Sequence, residues 1–263
     1  MSLPEDDNLT PDGTGYFDVG RGIPIVCLHG LGLDRAMWGP LVARLECRYR
    51  LIGIDLLGHG QSATPPANAT LDHYVSQLSA VLDHLNIQSA ALLGFDFGAQ
   101  VAMAAAAADP VRHPGLVLVS AAYRRLKPQR DMLLRRVEQA RRHGPSANAD
   151  SAIQRWFSAK FQAEHQGLVQ QIHDRVASNE PVGYVIASEL YALADTFTDS
   201  LLKDIQCPAL IISGALDMGT TPEMARRLAK AIADSTLLVV PRQKHMLPLE
   251  APDKVAQAVT AFL

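Results

Sequence analysis

The sequence predicts an α/β protein: a mostly parallel, doubly wound sheet interrupted by an inserted helical cap. Three observations carry this. Short apolar runs bounded by Gly, Pro or Asp recur along the chain, stretches with apolar residues three and four apart separate them, and the alternation stops between Ser120 and Cys207.

Each run supports the reading in turn. "IPIVCLHG", "YRLIGIDLLGHG", "SAALLGFD", "PGLVLVS", "CPALIISGALD" and "STLLVVPRQKH" are too short for buried helices. They suit strands covered on both faces, as in a parallel sheet. "AMWGPLVARL", "TLDHYVSQLSAVLDHL", "FGAQVAMAAAAA", "PEMARRLAKAI" and "APDKVAQAVTAFL" have helical spacing, some with Thr, Asp or Pro at the start. After Ser120 come "YRRLKPQRDMLLRRVEQARRHG", "ADSAIQRWFSAKF", "AEHQGLVQQIHDRVAS" and "PVGYVIASELYALAD", all helical and with no strand among them. The expected organisation is therefore a core formed by 1–120 and 206–263, with 121–205 as the cap. A cap over the C-terminal ends of the strands lies where open α/β sheets bind ligands.

With 263 residues, of which 48% are hydrophobic and 19% charged, the chain can bury a sizeable core. The formal net charge of -3 gives no general electrostatic reason to bind nucleic acid or an anionic membrane, which leaves a small-molecule partner. The opening "MSLPEDD" is acidic and unlike a secretory signal, and the longest apolar run, "VAMAAAAA", is too short to span a bilayer. Three widely separated cysteines, Cys27, Cys47 and Cys207, suggest buried thiols in a reducing, cytoplasmic setting. No metal or cofactor motif is present, so none is expected.

The chemistry centres on "LLGFDFGAQ". Gly94 and Gly98 flank Asp96 at a strand-to-helix junction, the spacing of a nucleophile elbow, where larger side chains would collide with neighbouring backbone. The helix starting at Phe97 offers free N–H groups and a positive dipole end to this region. The plain alternative is an N-cap aspartate. Two downstream residues favour chemistry. Asp217 follows a late predicted strand, and His245 sits in the loop after the last one. A carboxylate can orient a histidine through one ring N–H, leaving the other nitrogen to move a proton. The turn in "CLHGLGLDRAMW" can aim the backbone N–H of Leu31 at a developing oxyanion, with that of Phe97 as second donor.

Other groups read as supporting structure. His29, His59 and Asp55 are expected to hold turns, while His73, His84, His113, His143, His165 and His173 are expected at the polar surface. Trp38, Trp156 and Tyr191 are candidate lining for an apolar substrate pocket. The basic run Arg124, Arg125, Lys127, Arg130, Arg135, Arg136, Arg141 and Arg142 could steer an anionic substrate, although such runs are commonly solvated faces.

Together "HGLGLDRAMW", "IDLLGHGQS", "GFDFGAQVA", "ISGALD" and "KHMLPLEAP" resemble the α/β-hydrolase superfamily over nearly the whole chain, including its order of nucleophile, acid and histidine. The stretches "RWFSAKF" and "EPVGYVIASELYALADTF" most resemble 3-oxoadipate enol-lactonases and related lactone and ester hydrolases. Those lactonases carry serine where this chain has Asp96. Aspartate there resembles haloalkane dehalogenases and epoxide hydrolases, in which the carboxylate attacks a saturated carbon and histidine activates water to hydrolyse the ester formed. Two of their usual accessories are missing: Phe97 stands where dehalogenases generally have tryptophan, and "HGLG" lacks the proline of the epoxide-hydrolase turn.

The resemblance implies a cofactor-independent hydrolase using Asp96, Asp217 and His245. Its reaction is of lactone or ester type by kinship, or opens an epoxide or carbon–halogen bond by the identity of Asp96. A binding protein that kept the fold and lost turnover is the remaining alternative. A carboxylate attacking an ordinary ester would give a mixed anhydride, which disfavours a serine-type route. Flanking by Asp96 and Asp217 should raise the pKa of His245.

Overall fold

The computed structural model describes residues 8–263, with the side chains of 195–197 excepted; the opening "MSLPEDD" lies outside the described residues. All six predicted strands form: β3 (Ile23–Leu28), β4 (Tyr49–Ile54), β5 (Ala91–Phe95), β6 (Leu116–Val119), β7 (Ala209–Gly214) and β8 (Ser235–Val240). Two more precede them, β1 (Asn8–Leu9) and β2 (Gly15–Gly20). These are short, or flanked by glycine and partly polar, so they carry no apolar-run signal. The sheet has eight strands in the order β1-β2-β4-β3-β5-β6-β7-β8, parallel from β4 to β8, with β1 and β2 antiparallel at one edge.

Alternation along each strand divides the core in two. In β3, Val26 and Leu28 join one apolar cluster with α2 (Leu71–His84), α3 (Phe97–Ala108) and α10 (Pro222–Ala231). Ile25 and Cys27 point the other way, into a cluster with α1 (Gly39–Leu45), α11 (Leu247–Glu250) and α12 (Pro252–Phe262). Burying both faces explains why these strands read as continuous apolar runs.

Between β6 and β7 run α4 (Lys127–His143), α5 (Ala149–Trp156), α6 (Ala159–Glu164), α7 (Gln166–Ala177), α8 (Pro181–Leu193) and α9 (Asp195–Leu202). Two details differ from the helix pattern of the sequence. "ADSAIQRWFSAKF" breaks at Phe157, which is extended, because the Ser158 side chain caps a new helix by accepting from Phe161 N. The start of "AMWGPLVARL" is a 3-10 turn, Arg35–Trp38, capped by Asp34.

That turn corrects one expectation. Trp38 does not line a pocket: it is fully buried with Met37, Leu41 and Phe17 in the second cluster, because the turn faces the sheet. His113 is likewise buried rather than on the surface, its Nδ1 3.1 Å from the Ala90 carbonyl. Cys27 and Cys207 are buried free thiols, but Cys47 is exposed.

His29, His59 and Asp55 hold turns, as their sequence setting suggests. His29 Nε2 accepts from Leu56 N (2.9 Å) and His59 Nε2 accepts from Gly32 N (3.0 Å). Burial drives both imidazoles down to a pKa of about 3, so they stay neutral acceptors. Asp55 accepts from Arg35 N (2.8 Å) and Gln61 N (2.9 Å), and pairs with the buried Arg35 guanidinium. These bonds fix the loops after β3 and β4 beneath the site. No helix among the described residues is long and apolar enough to cross a membrane.

Candidate active site

The turn from β5 into α3 forces Asp96 into a backbone conformation that L-residues rarely adopt, φ 52° and ψ -107°. Such a residue costs about 1–3 kcal/mol and persists only where its surroundings over-determine it. Here they do. A Cβ on Gly98 would lie 2.1 Å from the Leu28 carbonyl oxygen, and one on Gly94 would lie 2.5 Å from that of Gly98. The two glycines let α3 press against the end of β3, where Gly98 N donates to His29 O at 3.0 Å.

Asp96 occupies the N-cap position of α3, yet its side chain makes no cap bond. The N-cap alternative therefore fails. Instead Oδ2 accepts from Leu31 N at 3.2 Å, and Oδ1 accepts from the hydroxyl of Tyr191 on α8. The N–H of Leu31, expected to face an oxyanion formed in the reaction, here donates to the carboxylate of Asp96 itself. Phe97 opens α3; its ring is buried edge-on to Tyr74 and Tyr191.

Asp217 and His245 come from the loops after β7 and β8, adjacent strands at the same sheet end. His245 Nδ1 lies 2.7 Å from Asp217 Oδ2, and His245 Nε2 lies 3.6 Å from Asp96 Oδ1. All three side chains are buried to about the same small exposure. Asp217 is further held by Gly219 N (2.8 Å), Thr220 N (3.0 Å) and the Thr220 hydroxyl (2.6 Å). The Ser120 hydroxyl donates to the His245 carbonyl at 2.8 Å. With Nδ1–H committed to Asp217, Nε2 is the nitrogen left to face Asp96.

Burial pulls His245 toward its neutral form, but the charge of Asp217, its hydrogen bond and the charge of Asp96 outweigh this and hold the pKa above the ordinary value. Asp217 shows the complement: burial works against its charge, while His245 and the Thr220 bonds keep its pKa below the usual range.

The three side chains border a cavity of about 290 Å³ that Leu31, Trp156 and Tyr191 also line. Trp156 stacks on His245, with ring centroids 6.1 Å apart and planes 23° from parallel. Tyr191 also carries the Arg125 guanidinium 4.2 Å above its ring centre. Of the residues predicted for the site, Asp96, Asp217, His245, Leu31, Trp156 and Tyr191 line this cavity, while Trp38 and the Phe97 ring are packed in the core. Sequence reading missed the direct bond from Tyr191 to Asp96, the Thr220 and Ser120 supports, and Arg155 in the cavity wall. None has a motif; Thr220 lies in the same loop as Asp217, whereas the Tyr191 and Ser120 bonds join segments far apart in the chain.

Comparison with known proteins agrees with this architecture. An (E)-2-((N-methylformamido)methylene)succinate hydrolase of Acinetobacter baylyi is 29% identical over 249 residues, covering 94% of this chain and 93% of that one. Haloalkane dehalogenase 2 of Mycobacterium tuberculosis is 26% identical over 264 residues, covering 93% and 89%. The crystal structure of the enol-lactonase from Burkholderia xenovorans LB400 superposes with a TM-score of 0.89 at 29% identity, covering 95% of each chain. The model of the alpha/beta hydrolase family matches residues 25–258, from β3 into the last helix, and so the chain belongs to the α/β hydrolase family.

Proposed function

We propose that the protein is a small-molecule hydrolase in which Asp96 is the nucleophile toward a saturated carbon, with α4–α9 acting as a cap over the reaction. The observation that carries this is the division of labour between the two carboxylate oxygens: Oδ2 is held by Leu31 N, while Oδ1 accepts from the Tyr191 hydroxyl and lies beside His245 Nε2. In the first step an Oδ1 electron pair forms a bond to carbon, and the leaving group departs with the electrons of the broken bond. That leaving group is a halide, or the oxygen of an epoxide or lactone opened at its alkyl carbon. In the second, His245 Nε2 takes a proton from water, the water oxygen adds to Asp96 Cγ, and negative charge grows on Oδ2. The Leu31 N–H stabilises that charge. Collapse breaks the Cγ–Oδ1 bond, so that Oδ1 leaves on the substrate carbon as an alcohol that takes the proton from His245, and the Asp96 carboxylic acid that remains gives its proton to solvent or to the opened epoxide oxygen.

Kinship to a named enol-lactonase and a named succinate-derivative hydrolase supports a second reading, direct lactone or ester hydrolysis with Asp96 as base on water. A single turnover in ¹⁸O-water separates the two. The nucleophilic route places the label in the Asp96 carboxylate and unlabelled oxygen in the product; direct water attack labels the product and leaves Asp96 unlabelled. Label in the product alone overturns the covalent proposal. No turnover across a panel of epoxides, haloalkanes, lactones and esters would favour a binding protein.

A further inference from the structure

Two arginines in the wall of the cavity, Arg136 of the basic run and Arg155 beyond it, differ from the paired cations on the solvent face. On the solvent face of α4, Arg141 and Arg142 pair with Glu138 at 2.8 and 2.6 Å, and Lys127 pairs with Asp131 at 2.7 Å. Arg136 on α4 and Arg155 on α5 instead line the cavity. Arg136 donates to the Met132 sulfur at 3.1 Å, a weak acceptor, and Arg155 donates to the Ser151 hydroxyl at 2.9 Å. Among the described residues neither has a carboxylate within ion-pair distance.

This arrangement is unfavourable without an anion. Both guanidiniums are partly withdrawn from water, and burial lowers the pKa of each; for Arg155 the nearby charge of Arg136 adds to the effect, bringing it down to about 10. Half-buried charges of one sign need a counter-charge to offset their lost hydration. Arg155 feels the charge of Asp96, and its own charge bears on His245, so Arg155 stands toward the reacting end of the cavity that both arginines line. In the whole lining, Arg125, Arg136 and Arg155 face Asp96 and Asp217, and Asp217 is already matched to His245. The same lining also holds the apolar Leu31, Leu133, Val137 and Ala152, beside the polar Asn148, Tyr184 and Ser188.

We propose that Arg136 and Arg155 form an anion subsite that takes a carboxylate of the substrate and aims its apolar remainder at Asp96. This rests on the cavity being the active site. Guanidinium forks suit a carboxylate better than a point cation does, because they can donate two parallel hydrogen bonds. The substrate class is therefore a small carboxylic acid whose reactive carbon is separated from the acid group by an apolar spacer.

The test reads binding alone, with hexanoate and its neutral isostere hexanamide as probes in titration calorimetry on the wild-type protein. Hexanoate should bind at least about tenfold more tightly than hexanamide. Arg136→Gln and Arg155→Gln should each weaken hexanoate by about tenfold and leave hexanamide unchanged, with Arg155→Lys in between and Arg142→Gln without effect. Melting temperatures of the two glutamine variants without ligand should equal or exceed that of the wild type, which a purely structural role would not allow. Equal affinity for the two probes, parallel loss of both in the variants, or no saturable hexanoate binding overturns the proposal. Because no turnover is measured, these outcomes stand or fall independently of the isotope result for Asp96.

Discussion

The two halves of the cavity wall are built on opposite electrostatic terms. At the sheet end every charge has a partner: Asp217 accepts four hydrogen bonds including that of His245, and Asp96 accepts from Leu31 and Tyr191. On α4 and α5, Arg136 and Arg155 lie partly out of water with only neutral acceptors. Groups that move protons need fixed geometry before the substrate arrives, since positioning lowers the barrier only if it is already in place. Groups that select a substrate gain from being satisfied only when it binds. Under the proposed function, the difference would put reaction at the sheet end and selectivity on the helices that carry Arg136 and Arg155.

The largest break in that comparison should come at the sheet end. His245→Ala should lower turnover by about 10³-fold or more while substrate binding changes little, and the alkyl-enzyme ester should then accumulate on the Asp96 peptide by mass spectrometry. Asp217→Asn should reduce kcat by about 10²–10⁴-fold by mis-orienting the imidazole, with KM within a few-fold of wild type.

Next come two tryptophans that sequence reading treated alike. Trp38→Ala should lower stability by about 3–5 kcal/mol in urea unfolding, because a fully buried ring is lost, while the folded fraction keeps its KM. Trp156→Ala should do the reverse, raising KM with a smaller loss of stability, since that ring borders the cavity and stacks on His245. Gly98→Ala should destabilise by about 3 kcal/mol, as the added methyl would meet the Leu28 carbonyl oxygen.

The smallest effect is a displacement of the pH profile. A step that needs neutral His245 should gain rate as pH rises through a pKa above 6.5 and fade toward acid, because His245 is held in its protonated form by Asp217 and Asp96. Asp96→Asn should abolish the proposed covalent turnover, so its influence is read by NMR titration of the ring: the midpoint should move down when that charge is removed. The linkage to stability has the opposite slope. A raised histidine pKa stabilises the fold fully below the unfolded value and ceases to do so as pH climbs through the folded one.

Much of the site was legible because the fold writes it in local patterns. Gly94, Asp96 and Gly98 are two residues apart and mark a turn whose geometry allows little else, and Asp217 and His245 follow apolar runs that could only be covered strands. Trp38 was misplaced because an aromatic in a helical stretch signals burial without saying under which face. The basic run was ambiguous for a related reason. Arg136 and Arg142 sit on one helix in the same composition, and only packing against α8 turns one into the cavity and leaves the other in solvent.

By itself, then, the sequence determined the parallel sheet, the strained turn at Asp96 and the three groups that meet at the strand ends, because each follows from short-range periodicity and from rules of chain connection. Tertiary structure alone decided which oxygen of Asp96 meets Leu31, that Tyr191 reaches the other, and that Arg136 and Arg155 line one cavity with no carboxylate among the described residues at ion-pair distance. Those are relations between segments far apart in the chain, fixed by how helices pack over the sheet, and no local pattern encodes the direction in which a long side chain finally points.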